Sequence, residues 1–123
     1  MDRDALTETV IGAAIEVHRS LGPGLLESVY EECLAQELML RAIDFERQVQ
    51  LPVVYKGTKL ACHFCMDMVI AGTLLLELKA VDELHPIHEA QLLTYMRLSG
   101  LRLGLFLNFN VARLKDGIKR RIL

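Results

Sequence analysis

Asp67, Glu77 and Lys79 are the side chains whose types and spacing best support chemistry. Glu77 and Lys79 stand two apart in the oily run "TLLLELKA", residues 73–80. On a strand, positions i and i+2 project from one face, so the two are neighbours while Leu78 points into the opposite core. A charge buried without a partner is costly, so the pair is either exposed at a rim or put to use. Asp67 belongs to the preceding strand, and the turn sets its alignment. A two-residue loop at Ala71-Gly72 would pair Asp67 with Leu76 and send Glu77 to the other face. A three-residue loop, Ala71-Gly72-Thr73, pairs residue 67 with 77 and sets both carboxylates opposite each other with Lys79 beside them. A bulge near Asp67 would serve equally well. Carboxylates this close repel unless a positive charge sits between them, and Mg²⁺ or Mn²⁺ meets that need with oxygen ligands. Such an ion activates water and stabilises a phosphodiester transition state, and Lys79 could orient that water or neutralise the phosphate. The competing reading is a surface salt bridge among Asp67, Glu77 and Lys79, worth little.

Elements that could position these residues follow from periodicity. Residues 4–19 repeat Leu6, Val10, Ala13, Ala14 and Val17 at helical spacing, with Asp4 as the N-cap. "SLGPG" breaks that helix. A second helix over about 25–41 places Leu25, Val29, Cys33, Leu34 and Leu38 on one side. After Ala42 the pattern alternates: "FERQVQLPVVY" reads as a strand whose Pro52 marks an edge or a bulge. "KGT" is a hairpin turn, "KLACHFCMDMVI" and "LLLELKA" are strands, and residues 87–99 return to helix after Pro86. There Ile87, Leu92, Met96 and Leu98 are apolar. "LRLGLFLNFN" is a buried strand, and "LKDGIKRRIL" allows a turn and a short last strand. The order α-α-β-β-β-α-β, with an optional last β, describes an α/β sandwich with a mixed sheet in one domain over residues 1–123.

Composition narrows the class. Hydrophobic residues make up 52% and the mean hydropathy is +0.29, high enough for an extra apolar face, so a homo-oligomer, such as a homodimer, is expected. No uncharged stretch is long enough to cross a bilayer, and the start "MDRDALTETV" is too polar for a signal peptide. Three cysteines, an odd number without an export signal, point to reduced thiols in a cytoplasm. A net charge of −2 argues against a non-specific nucleic-acid coat, but residues 97–123 carry seven bases against Asp116 alone, either a solvated tail or a phosphate-facing edge.

Two further segments bring polar residues to helical spacing: Glu27 with Tyr30 in "GLLESVY", and Gln91 with Tyr95 in "QLLTY". In this order the segments resemble the GxxExxY family of the PD-(D/E)XK nuclease superfamily, from about Leu21 to the end. Residues 24–30 match the name-giving motif, Asp67 the Asp, Glu77-Leu78-Lys79 the ExK, and "HEAQLLTY" a QxxxY box found in an exonuclease branch of that superfamily. The resemblance implies a restriction-endonuclease-like sandwich. It implies Asp67 and Glu77 as metal ligands helped by the Leu78 carbonyl, Glu27 as a further carboxylate, and Lys79 as the catalytic lysine. Gln91 and Tyr95 would position the nucleic-acid backbone, with Tyr30 and His88 also on the substrate side. The implied chemistry is Mg²⁺- or Mn²⁺-dependent hydrolysis of nucleic acid, DNA being the expected form. The alternative is a nuclease fold kept as a weak or inactive module that binds nucleic acid or a protein. Relatives often carry Arg two positions before the Asp, where this chain has Cys65. A zinc site from Cys62, Cys65, His85 and His88 is disfavoured, because cysteines three apart on a strand point to opposite faces.

Overall fold

The computed structural model describes residues 2–123. Helix α1 spans Arg3–Leu21 and α2 spans Glu27–Leu40. Strands β1 (Phe45–Tyr55), β2 (Thr58–Ile70) and β3 (Leu74–Lys79) follow, then α3 (Pro86–Ser99), β4 (Leu103–Asn108), a 3-10 turn (Leu114–Gly117) and β5 (Ile118–Ile122). The optional last strand is therefore present. The five strands lie in the sheet in chain order. Only β3 and β4 are parallel, and α3 makes the crossover that a parallel pair requires.

The sheet is covered on both faces. Helices α1 and α2 bury Leu6, Val10, Val17, Leu34 and Leu38 against Met68, Leu76, Leu78, Leu105 and Leu107. Helix α3 buries Leu92, Tyr95 and Met96 against Leu75, Phe106, Val69 and Leu51. Strands β3 and β4 are thus apolar on both sides, which explains why they read as continuous hydrophobic runs and not as alternating ones. The sheet edge β1 carries Pro52, and the β1–β2 register shifts between Pro52 and Val54, so both readings of that proline hold.

Some local expectations change. The N-cap of α1 is Asp2, whose Oδ1 accepts from the Ala5 N–H at 2.8 Å, and not Asp4. Helix α2 begins at Glu27, so Leu25 precedes it and Val29 is 38% exposed. Its buried face is Tyr30, Leu34, Ala35 and Leu38: Leu34 and Leu38 lie where expected, Cys33 packs at the margin, and Tyr30 and Ala35 stand in for Leu25 and Val29. In α3, Ile87 and Leu98 face outward, and Tyr95 takes the buried place.

Two glycines mark the closest approaches. A Cβ at Gly117 would lie 2.2 Å from the Asn108 carbonyl oxygen, and one at Gly104 would lie 2.7 Å from the Met96 Sδ. A backbone oxygen cannot step aside, whereas a thioether can rotate. Gly117→Ala is therefore expected to cost about 2–4 kcal/mol and Gly104→Ala about 1 kcal/mol. Urea denaturation of the two variants checks the order; equal losses would show that the Asn108 strand end yields as readily as Met96.

Candidate active site

Backbone pairing between β2 and β3 covers only Met68–Ile70 against Leu74–Leu76. The connection is the three-residue form, closed by the Thr73 N–H on the Ile70 carbonyl at 2.9 Å, with Ala71 and Gly72 at φ 51 and 65. One step further, that register sets Asp67 opposite Glu77. There, side chains replace the ladder. The Asp67 N–H donates to Glu77 Oε1 at 3.3 Å, and the Leu78 N–H donates to Asp67 Oδ2 at 2.8 Å. A strand residue sends its N–H and C=O to the same side, so the Leu78 carbonyl also faces the gap.

Strand β1 breaks at the same level. Gln48 would sit across from Asp67, but this pair is missing from the ladder and Gln48 has φ 50. On the side of the β2–β3 turn, Phe45, Met68 and Ile70 address the α1–α2 core; beyond the break, Val49, Leu51, Phe64 and Met66 address α3. Both strands reverse faces at this one position. A left-handed conformation costs a non-glycine residue about 1–2 kcal/mol. Here it turns the Gln48 amide toward α2, where Nε2 donates to Glu31 Oε1 at 2.7 Å while Oε1 accepts from the Cys65 thiol at 3.1 Å. Arg47 secures Glu31 from the other side at 2.8 Å. The result is a cleft of about 260 Å³ lined by Glu27, Ser28, Glu31, Gln48, Asp67 and Leu78.

A family model of the PD-(D/E)XK nuclease superfamily matches residues 4–121. The chain belongs to the PD-(D/E)XK nuclease superfamily. Comparison with curated proteins and with solved structures gave no significant match. The α/β sandwich with its mixed sheet is the restriction-endonuclease-like architecture of this superfamily.

The electrostatics follow from burial. Glu77 is only 3% exposed. Burial, and then the neighbouring charge of Asp67, pushes its pKa up to about 8. Burial also raises Asp67, against the lowering effect of the Leu78 N–H. The two carboxyls are neighbours, each accepting a backbone N–H in the gap, and the Lys79 ammonium is near enough to favour the charged form of both. Without a cation, such a pair holds a proton at neutral pH. Two carboxylates and a carbonyl converging on one gap are the hard oxygen donors that Mg²⁺ or Mn²⁺ accepts. No three Asp, Glu, His or Cys side chains among the described residues are placed to hold an ion by themselves, so water would complete the shell.

The other expected residues divide. Glu27 opens α2 and lines the cleft without closing a third carboxylate ligand around Asp67 and Glu77. His88 borders the Lys79 ammonium, and burial followed by that charge lowers its pKa. Its Nδ1 accepts the His85 N–H at 3.1 Å, while His85 Nδ1 accepts the Ile87 N–H at 3.2 Å, so the H-x2-H spacing serves to cap α3. Tyr95 is 6% exposed, and burial followed by the charges of Glu77 and Asp67 raises its pKa. Its hydroxyl accepts from Gln91 Nε2 at 3.0 Å and keeps a proton to donate. Tyr30 is a correction. It is 0% exposed, stacked on Phe109 at 4.4 Å, and its hydroxyl donates to the Gly22 carbonyl at 2.6 Å and accepts from the Leu25 N–H at 3.2 Å. It fixes the loop that leads into Glu27 and has no surface left for substrate.

Three residues escaped the sequence reading. Gln48 and Glu31 form the back of the cleft, and neither carries a local signal, because a left-handed glutamine inside a strand is invisible to propensity. Asn108 is 3% exposed; its amide clasps the Val81 N–H and carbonyl at 3.1 and 2.9 Å, anchoring the chain just past Lys79. An Asn at the end of an apolar strand was the available clue.

Two outcomes test this geometry. Folded Glu77 keeps its proton up to about pH 8, while the unfolded side chain releases it near 4.5. Its contribution is complete below the lower value and is lost as pH rises through the upper one. Metal-free protein should therefore lose up to about 1.4 kcal/mol per pH unit across that window, as followed by urea midpoints. Glu77→Gln should flatten the dependence; an unchanged slope would place the proton elsewhere. Separately, Tyr30→Phe should cost about 1–2 kcal/mol of stability and leave oligonucleotide affinity unchanged. Lost affinity in a stable Tyr30→Phe protein would return Tyr30 to the substrate side.

Proposed function

We propose that this member of the superfamily is a divalent-metal-dependent nuclease that hydrolyses phosphodiester bonds of DNA in the cleft between β2 and β3. The observation that carries this reading is the reciprocal pairing of Asp67 and Glu77 in the gap, with the Lys79 ammonium beside both. Asp67, Glu77 and the Leu78 carbonyl would hold the cation, with Glu27 within reach of its water. When bound, a divalent ion supplies positive charge to the phosphoryl oxygens and acidifies water. Lys79 would orient the attacking water or neutralise charge on the phosphate, as the water oxygen bonds to phosphorus and loses its proton to solvent and the bond to the leaving strand's oxygen breaks. The Lys79 carbonyl is tied to the Phe109 N–H at 2.9 Å, which limits how far that lysine can wander. Tyr95, with a hydroxyl proton to donate and Gln91 to hold it, faces the nucleic-acid backbone. His88 contributes a neutral ring on the same rim.

Charge favours cutting over binding alone. Glu27, Glu31 and Asp67 line the cleft and Glu77 adjoins Asp67, and so acidic a cleft repels phosphate until a cation enters. Cys65 supports the second reading, a module that binds without cutting. It stands two positions before Asp67, where the resemblance leads to an Arg, and Arg47 on the adjoining strand is already committed to Glu31 and Glu32. Lys79→Ala separates the two. The expected result is DNA cleavage that needs Mg²⁺ or Mn²⁺, stops in EDTA and falls at least about 100-fold in a Lys79→Ala protein with unchanged circular dichroism. Cleavage undiminished in Lys79→Ala, or absent with both metals, would overturn the nuclease reading.

A further inference from the structure

The distal half of the β1–β2 hairpin has no neighbour in the sheet. Strand β2 pairs with β3 only as far back as Met68, yet it runs for ten more residues to Thr58, with β1 as its partner apart from the break at Gln48/Asp67 and the register shift after Pro52. Residues 49–66 therefore form a two-stranded ribbon. Its inner side leans on α3 through Val49, Leu51, Phe64 and Met66, with Phe64 tilted against Tyr95 at 5.3 Å. Its root is the Gln48/Asp67 break at the cleft. Two-stranded ribbons are marginal by themselves and persist where packing or function keeps them.

The charge of this ribbon differs from that of the rest of the chain. Residues 47–66 contain no Asp or Glu, although the protein has 16 of them, and they carry Arg47, Lys56 and Lys59. The tip is exposed and apolar as well as basic: Val54 is 60% exposed and Tyr55 63%. The Lys56 Nζ lies 5.5 Å from the centre of the Tyr55 ring. Lys56 and Lys59 have no ion-pair partner among the described residues. At about 3.3 Å per residue, the strand from Asp67 to Thr58 reaches up to roughly 30 Å, close to one turn of a duplex.

We infer that the distal β1–β2 ribbon is an arm that grips the nucleic-acid substrate on one side of the cleft, with Lys56 and Lys59 on phosphates and Tyr55 stacked on a base. The inference rests on the nuclease reading of the same site and adds where the strand runs. An acid-free, basic ribbon complements a polyanion, and an exposed aromatic beside a lysine is the platform that stacks bases without regard to sequence. A ribbon rooted at Asp67 also couples grip to position: the backbone that carries the metal-binding carboxylate carries the arm.

The test uses the full chain in Ca²⁺, which permits binding without turnover, and a fluorescein-labelled 30-nucleotide single-stranded DNA and its duplex, read by anisotropy across a salt series. Lys56→Glu/Lys59→Glu is expected to weaken binding at least tenfold and to reduce the slope of log affinity against log salt by about 1.5. Tyr55→Ala is expected to weaken it at least fivefold with the slope kept. Arg3→Glu/Arg102→Glu makes the same charge change beside the β2–β3 turn, at the other end of the sheet, and should leave affinity within twofold. Divalent-dependent hydrolysis of bis(4-nitrophenyl) phosphate, too small to touch the arm, reports the cleft alone and should be unchanged in all three variants. Tip variants that bind like wild type, or a loss equalled by the Arg3/Arg102 control, would overturn the arm while the nuclease reading stands. So would a wild-type dimer that the tip variants dissociate in sedimentation, since the ribbon would then belong to a second copy. No hydrolysis of the small diester and no DNA binding by wild type would overturn both readings.

Discussion

The backbone ladder between β2 and β3 ends at Met68 and Leu76, and the next donors on each strand are taken by the acids of the other. This exchange is the constraint on which the site depends. Buried N–H groups need acceptors, and here a carboxylate accepts where a carbonyl ordinarily would. Each bond orients one acid and stabilises its charge, while burial of both acids, and for Glu77 the charge of Asp67, work against that charge. The balance leaves a pair that must be neutralised, by a proton or by a cation. Opening the sheet therefore both creates the cleft and sets the electrostatic demand of whatever enters it.

The gap stays open because neighbouring elements hold its walls apart. Gln48 breaks β1 opposite Asp67 and reaches to Glu31 on α2, which Arg47 also grips. Past Lys79 the chain is held by Asn108 and by the bond from the Phe109 N–H. Phe109 is in turn stacked on Tyr30, and its carbonyl accepts from His18 Nε2 at 3.1 Å. The far wall of the cleft, the loop into Glu27 and both N-terminal helices thus meet at one phenyl ring. Tyr30, three residues after Glu27, contributes by fixing the start of α2, a role that demands burial and excludes contact with solvent.

Most of the fold was legible because its signals are local. The turn residues at 56–57 and 71–73, the alternation of β1 and the continuous apolar runs of β3 and β4 each reflect a short-range rule, and the strands fall within a residue or two of where those rules put them. The alignment of Asp67 with Glu77 was one of the alternatives that the sequence left open, and the three-residue loop decides it. The helix faces were read less well. In α2, Leu34 and Leu38 are buried as expected, but Leu25 and Val29 were read as core where Tyr30, stacked on Phe109, takes the buried place. The left-handed Gln48 and the reversal of faces at its position were not legible. They arise from a conflict between two cores on opposite sides of one sheet, and no window of the sequence contains both.

That conflict also explains the length of the hairpin. Had β1 and β2 kept one alternation throughout, the apolar residues Val49, Leu51, Phe64 and Met66 would face the same side as Phe45 and Ile70, away from α3. Reversing at Gln48 and Asp67 lays them on α3 instead and brings Phe64 against Tyr95, so the second core reaches to the rim of the cleft. The irregularity is stabilised from both sides: by Glu31 on one helix layer and by apolar burial on the other. A strand break that costs about 1–2 kcal/mol in backbone strain can persist under those conditions. Its position beside Asp67 coincides with the point where the third strand has stopped pairing, so the reversal disturbs one strand partner and not two.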